Sequence, residues 1–423
     1  MDARIVDGRK IARVTDDGKL KVLVHGRDGD NLVPVKVSED GYLMLATDVT
    51  VESVTVDLST VELNQGAPGQ NPWPVTLSGS LPEFDTILDY DFPSMGKLLL
   101  VNSQAMYRAN DTVLEKSTDT GVNWTALQDF APARPVFVWA PRSPVSPNIV
   151  LVWAAANTSS AGTLYRSFNN GVFTSVLESV YAPYRPCGVG FQHSSIIMFG
   201  EYTPSDTDHR IFKSTDAGAT WDAVKTHTGA QSRHWHNVHY SAALAGWLAT
   251  SGESDGQLHW IFSPDTGTTW YYVLPRNILG LYPNGLYRTT HVEIDPRGVL
   301  TWASDQGYPD GGIFRATLGS LCKPQLLMPA ADAIEGLYRS GNLMIAATTN
   351  SSGSRPKPCD VYVSLDGGAN WRRDKRFAGT GGTPHIYYPL GEDAAGRIYY
   401  AADYLTAAGA QTLRCQVREG GRL

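Results

Sequence analysis

The chain has 423 residues with 35 Lys and Arg against 42 Asp and Glu, a formal net charge of −7, and so lacks the basic field that would hold a phosphate backbone; no nucleic acid partner is expected. Charged residues make up only 18% while 41 Gly and 25 Pro punctuate the chain, which excludes extensive disorder and long helices and predicts a globular, turn-rich protein. No run reaches ~18 apolar residues and the charged start lacks the apolar core of a leader, so neither membrane insertion nor secretion is expected. Cys187, Cys322, Cys359 and Cys415 lie far apart without a C-x-x-C pair, which predicts no metal site and no disulfide framework, and fits synthesis in a reducing cytoplasm.

Residues 1–48 read as a small β-rich docking unit. They carry two echoes, Asp16-Asp17-Gly18-x-Leu20 and Glu39-Asp40-Gly41-x-Leu43, each a turn followed by an alternating strand. Residues 49–80 read as an extended strand and linker. The run from Val49 to Leu63 alternates apolar with polar positions but has too few apolar residues for a core of its own, so it needs a partner strand.

From residue 81 to 423 a unit of about fifty residues repeats. The pattern S-x-D-x-G-x-x-W occurs as Ser117, Asp119, Gly121, Trp124; as Ser214, Asp216, Gly218, Trp221; as Ser263, Asp265, Gly267, Trp270; and as Ser364, Asp366, Gly368, Trp371. A worn copy at Ser167-x-Asn169-x-Gly171 keeps the turn chemistry. The five Asp or Asn positions are 50, 47, 49 and 101 residues apart, so the last step spans two units with one motif lost. The strand-like strings Gly312-Ile-Phe-Arg315 and Thr412-Leu-Arg414 mark the two units without a box, which makes seven. Each unit divides into four short strands separated by Asp, Pro and Gly turns, as in Thr290–Ile294, a turn at Asp295-Pro-Arg-Gly298, and a second strand from Val299. The fold class is all-β.

These motifs resemble the Asp-box (BNR) repeats of sialidase-like β-propellers over roughly 340 residues. The resemblance implies a seven-bladed β-propeller in which the box is a hairpin turn and its Asp is satisfied locally, so no catalytic role follows for Asp119, Asp216, Asp265 or Asp366. The N-terminal Val/Thr-rich run and the connector Asn64-Gln-Gly-Ala-Pro-Gly-Gln-Asn-Pro-Trp-Pro74 resemble the arms of tailed-phage virion proteins. That likeness implies capsid or tail proteins as partners through residues 1–75, a homo-oligomer with a trimer favoured, and a place on the virion surface. Because the seventh unit has little chain left for a fourth strand, residues 73–77 are expected to close the ring.

In such a ring the rim opposite the boxes collects the starts of first strands and the ends of second strands. Those positions offer Glu201, Arg233, His234, His236, Glu253, Arg288, His291 and Asp305 as a tentative ligand-binding set, with Arg185, His385 and Asp403 nearby. Paired carboxylates there would suit a glycoside hydrolase, the alternative to a structural virion protein that contacts host-surface glycans. The F/Y-R-I-P motif of sialidases is missing; the nearest string is His209-Arg210-Ile211-Phe212. His234 and His236 share one strand face as metal ligands would, but strand alternation turns His239 the other way, and no metal or cofactor is predicted. Trp235, Tyr282, Tyr287 and Tyr308 could stack on sugars or pack between blades.

Overall fold

The computed structural model describes residues 86–142, 148–169, 171–192, 195–204, 207–251, 257–274, 286–306, 311–330, 332–349, 358–378, 384–405 and 412–418, with five strands before them. The chain divides into two compact units, Met1–Ser80 and Leu81–Leu423. In the first, Ala12–Val14 pairs antiparallel with Leu20–Val22, and Val24–Asp28, Asn31–Val37 and Leu43–Met44 form a three-stranded sheet. Residues 49–63 and 73–77 lie outside the described residues.

The second unit is a β-propeller. Its described strands form five four-stranded antiparallel sheets and one eight-stranded sheet. The eight-stranded sheet is two four-stranded meanders joined by a single parallel bridge between Val101 and Gly391, giving seven meanders among the described residues. Their first strands, Lys97–Val101, Arg134–Trp139, Val189–Gln192, Trp235–Ser241, Thr289–Ile294, Ile334–Ser340 and His385–Glu392, all line one central cavity.

Burial grades outward along each meander. In the second unit, Ile149–Ala155 is buried at every position, whereas the outermost strand Thr174–Val180 is largely exposed. A strand covered on both faces needs a continuous apolar run rather than alternation, and Ile-Val-Leu-Val-Trp-Ala-Ala supplies one. Among the described residues, seven apolar clusters fill the spaces between successive meanders, for example Trp153 with Phe199, Met198 with Trp247, and Trp260 with Trp302. The cluster of Leu98, Val101, Leu390 and Tyr399 joins the seventh meander to the first. Trp153, Trp235, Trp247, Trp260 and Trp302 are all fully buried, so the aromatic residues serve packing between sheets.

The boxes are hairpin turns held by their own side chains. In the first, the Ser117 hydroxyl donates to Asp119 Oδ1 at 2.7 Å and accepts from Gly121 N at 2.9 Å, while Asn123 N donates to Asp119 at 2.9 Å. The Trp124 indole donates to the Gly121 carbonyl at 3.0 Å. These bonds, the Asn123 amide foremost, hold the Asp119 carboxyl down at about 2. The same ties recur at Ser214 and Ser364, indole bond included. At Ser263 the serine and aspartate bonds recur, but the Trp270 indole nitrogen is buried without a partner. The box glycine is fixed by geometry: Gly368 has φ +90°, and a Cβ there would stand 2.8 Å from Met344 Sδ.

The boxes also latch one sheet to the next. The carbonyl of the residue after the box Asp accepts a cation from the third strand of the preceding meander: Arg166 to Ala217, Lys213 to Thr266, and Arg315 to Gly367.

The ring closes through Leu88–Asp91, which pairs antiparallel with Thr412–Val417 as the fourth strand of the seventh meander. This corrects the expectation for residues 73–77: the closing strand comes from the N-terminal side, but it is the segment directly before the first meander. The buried Asp374 carboxylate explains the choice, accepting bonds from Ile87 N at 2.6 Å, Leu88 N at 3.1 Å and Tyr90 Oη at 2.8 Å. Arg414 pairs with Asp91 and Arg418 with Asp89 across the same seam.

Candidate functional site

The rim expected to bind a ligand is stoppered by the chain itself. Before the third meander's first strand, residues 184–188 cross the channel at the starts of the inner strands. Tyr184 stacks on Tyr202 and His236, with ring centroids 4.4 and 5.0 Å apart. Arg185 is buried between Tyr184 and Tyr388, donates to the carbonyls of Glu335 and Tyr387, and forms an ion pair with the Glu335 carboxylate. The short 3-10 turn Pro186–Gly188 follows, with Cys187 Sγ 3.6 Å from the Thr290 carbonyl and 3.7 Å from that of His236. One segment of the third meander thus touches the fourth, fifth, sixth and seventh.

The rim candidates are therefore tied up rather than presented. Glu201 is fully buried, accepting from Arg210 at 2.8 and 2.9 Å and from the amides of Tyr181 and Arg210. Asp305 holds Arg288 at 2.8 Å. His234 and His236 are buried, their Nδ1 atoms 3.2 and 2.7 Å from the carbonyls of Thr203 and Thr289. Trp235, between them in sequence, points the other way and is buried in the core against His209 and His227, so it offers no face to a sugar. His385 stacks on Tyr387 and bonds Thr349 at 3.1 Å, and Asp403 accepts from Tyr387. Arg233 is exposed. Tyr287 is buried and donates to the Leu321 carbonyl at 2.6 Å. Glu253, Tyr282 and Tyr308 lie outside the described residues. Among the described residues no group of three or more His, Cys, Asp or Glu is arranged to hold a metal.

Among the described members of the candidate set, only His291 lines the central cavity. Beyond the stopper, toward the box-turn end, the channel widens into a cavity of about 340 Å³ bounded by all seven inner strands. Its polar wall is His239, His291, Glu293, Tyr338 and Arg142, with Cys187 at the stoppered end and Trp139, Phe191 and Leu390 opposite. His291 and Glu293 sit two apart on one strand, hence on one face, and His291 Nε2 meets Glu293 Oε1 at 2.9 Å. Arg142 follows the second meander's first strand, stands 3.8 Å from Glu293, and lies 4.9 Å over the Tyr338 ring. It is walled in by protein yet keeps 56% of its side-chain surface accessible, as a side chain standing in a cavity does.

Electrostatics set these groups apart. Burial opposes protonation of His291, but the Cys187 sulfur and the Glu293 carboxylate outweigh it and raise the imidazole to about 9. Burial alone would raise Glu293; the His291 bond and the Arg142 charge win and hold it down at about 2. His239, without so close a carboxylate, is pushed down to about 4 by burial. The cavity thus holds an imidazolium–carboxylate pair, a neutral imidazole and an accessible guanidinium. The H-x-E spacing was the sequence signal for the pair; Arg142 had none, because its place depends on how the ring closes.

No family model matches the sequence, and no curated protein matches it significantly. Among solved structures, a chain of a mitotic checkpoint complex matches 81% of this chain and 99% of its own at 10% identity, with a TM-score of 0.51. A chain from a study of two prolyl endopeptidases matches 79% of this chain and 51% of its own at 10% identity, with a TM-score of 0.47. The first likeness identifies the fold as β-propeller-like, and at such identity neither speaks to function.

Proposed function

We propose that the chain is a structural protein of a tailed-phage virion: residues 1–75 dock on capsid or tail subunits, as a homo-oligomer with a trimer favoured, and a seven-bladed Asp-box propeller is carried outward to contact host-surface glycans. The Asp-box and phage readings rest on the repeats and on the style of the N-terminal run. The non-catalytic reading rests on one observation. Among the described residues every carboxylate with a displaced pKa is displaced downward, from Asp119 and Asp366 in the boxes to Glu293 in the channel. A glycoside hydrolase needs one carboxyl kept protonated near neutral pH beside a second ~5 to 10 Å away. Glu201 and Asp305 are instead held by arginines.

Cross-linking mass spectrometry on purified virions tests the docking: links from residues 1–75 to a capsid or tail subunit are expected, and links confined to the propeller would refute it. Incubation with host polysaccharide tests the catalytic alternative. Release of reducing ends, abolished by Asp305→Asn or Glu253→Gln with the fold intact, would replace the structural reading with the hydrolase.

A further inference from the structure

Arg142 enters the channel cavity from a pinned backbone. The Pro141 carbonyl accepts from Asn102 Nδ2 at 3.3 Å and the Arg142 carbonyl from Ser103 Oγ at 3.5 Å, so the chain leaving the second meander's first strand is tied to the first meander. The guanidinium lies over Tyr338, whose hydroxyl is fixed in turn by donating to Glu392 at 3.1 Å. Such stacking covers one face of the plane and leaves its N–H edge free. Glu293 approaches that edge only to 3.8 Å, beyond hydrogen-bond distance, because its short contact goes to His291. Among the described residues the Arg142 side chain donates no hydrogen bond, so a five-donor fork stands in a protein-walled space without an acceptor of its own.

We propose that the channel cavity binds a small monocarboxylate with an apolar body, its carboxylate on the Arg142 fork and its body against Trp139, Phe191 and Leu390. The charges select a monoanion. His291 and Glu293 bond to each other as imidazolium and carboxylate and cancel, so Arg142 leaves this wall with one uncompensated positive charge. A second negative charge on the guest would face Glu293 beside the fork, which disfavours phosphate. A planar guanidinium also matches a planar carboxylate through two parallel hydrogen bonds. His239, a neutral imidazole on the same wall, has an N–H to offer the carboxylate. The opposite wall is apolar, so the hydroxyls of a sugar acid would lose their water there without gaining partners. At about 340 Å³ the space sits at the low end of small-molecule sites, which run ~300–1,000 Å³. This inference does not rest on the virion reading, since it concerns the channel and not residues 1–75.

Titration calorimetry of the full-length protein with benzoate, benzamide and glucuronate tests the site. Benzamide keeps the apolar body and removes the charge, whereas glucuronate keeps the charge and replaces the apolar body with hydroxyls. Benzoate is expected to bind saturably, one per chain, with a Kd on the order of 0.1–1 mM, as suits a ligand of about nine non-hydrogen atoms. Benzamide and glucuronate should each bind about tenfold more weakly, the first by the scale of one charge-assisted contact and the second by loss of the apolar match. Arg142→Gln, with its fold checked by circular dichroism, should bring benzoate down to the level of benzamide. If that variant does not fold, the ranking of the three ligands on the wild-type protein still decides. No saturable benzoate binding, benzamide or glucuronate binding as tightly as benzoate, displacement of benzoate by an equal concentration of inorganic phosphate, or a folded Arg142→Gln variant with undiminished affinity would overturn the proposal.

Discussion

Replacing Asp374 with alanine tests how the ring is closed. Its carboxylate is fully buried and accepts three bonds from the closing segment: the amides of Ile87 and Leu88 and the Tyr90 hydroxyl. Removing it leaves two backbone donors and one hydroxyl without an acceptor, at roughly 1–3 kcal/mol each. The 3.5 Å contact with Arg372 adds little, because that arginine is nearly half exposed. Since the three bonds share one acceptor they are not additive, and about 4 kcal/mol is the expected loss. For a propeller of this size that corresponds to a drop in Tm of about 5 °C. Tyr90→Phe, which removes one bond and leaves the carboxylate satisfied by the other two, should cost about 1 kcal/mol. Denaturant melts give the energies, and hydrogen exchange gives the location: protection should fall first at Ile87, Leu88 and the 412–417 strand. Stability of Asp374→Ala within about 0.5 kcal/mol of wild type, or protection lost evenly around the ring, would refute the closure argument.

Three further outcomes are expected. His209 is buried between His227 and Trp235, and burial holds its pKa down at about 4. The unfolded state therefore binds the extra proton first, and stability falls as pH drops from about 6.5 to about 4, by about 3 kcal/mol for this residue; His209→Phe should flatten that slope in pH-dependent denaturation, and an unchanged slope would show the burial to be incidental. Arg315→Met removes the latch to the Gly367 carbonyl and should cost about 1 kcal/mol, additive with Lys213→Met two meanders away; strong coupling between the two in a double-mutant cycle would contradict independent latches. Arg185→Met leaves the partly buried Glu335 carboxylate without its cation and should destabilise by roughly 3 kcal/mol. Arg185→Lys should not restore it, because one ammonium cannot replace a fork that reaches a carboxylate and two carbonyls; full rescue by lysine would count against that geometry.

The boxes were legible because their chemistry is local: Ser, Asp and Gly within five residues bond to one another whatever surrounds them, and their spacing counts the units. The worn copy turns differently: Asn169 itself takes the positive φ, 51°, that falls on the residue after the Asp in the full boxes, and the Ser167 hydroxyl donates to the Gly171 carbonyl. What sequence could not show is contact between units. The latching cations Arg166, Lys213 and Arg315 sit near the ends of third strands, but each has its acceptor some fifty residues ahead, out of reach of local reading. The rim set came from a correct strand direction, and it placed Glu201 and Asp305 rightly at second-strand ends. It missed that Arg185 turns inward and draws residues 184–188 across the channel, a path set by acceptors on the sixth and seventh meanders. Residues 73–77 were expected to close the ring because the seventh unit is short of a fourth strand; that Leu88–Asp91 does so depends on the buried Asp374, through contacts across 287 and 286 residues that no local pattern reveals.

The seam also sets an order of events during synthesis. Asp89 emerges from the ribosome 329 residues before Arg418, its partner in the finished ring. At ~5–20 residues per second, the wait is on the order of tens of seconds. Throughout it, the edge of Leu88 and Tyr90 has no strand to cover it and the first meander has no seventh to lean on, so the nascent chain is an open crescent with two sticky ends. Two such crescents meeting on one polysome could each donate their early strand to the other's late one, and a domain-swapped pair would bury the same side chains as the closed ring. The device that makes the ring a single clasped chain is thus also the point at which crowded translation can misassemble it.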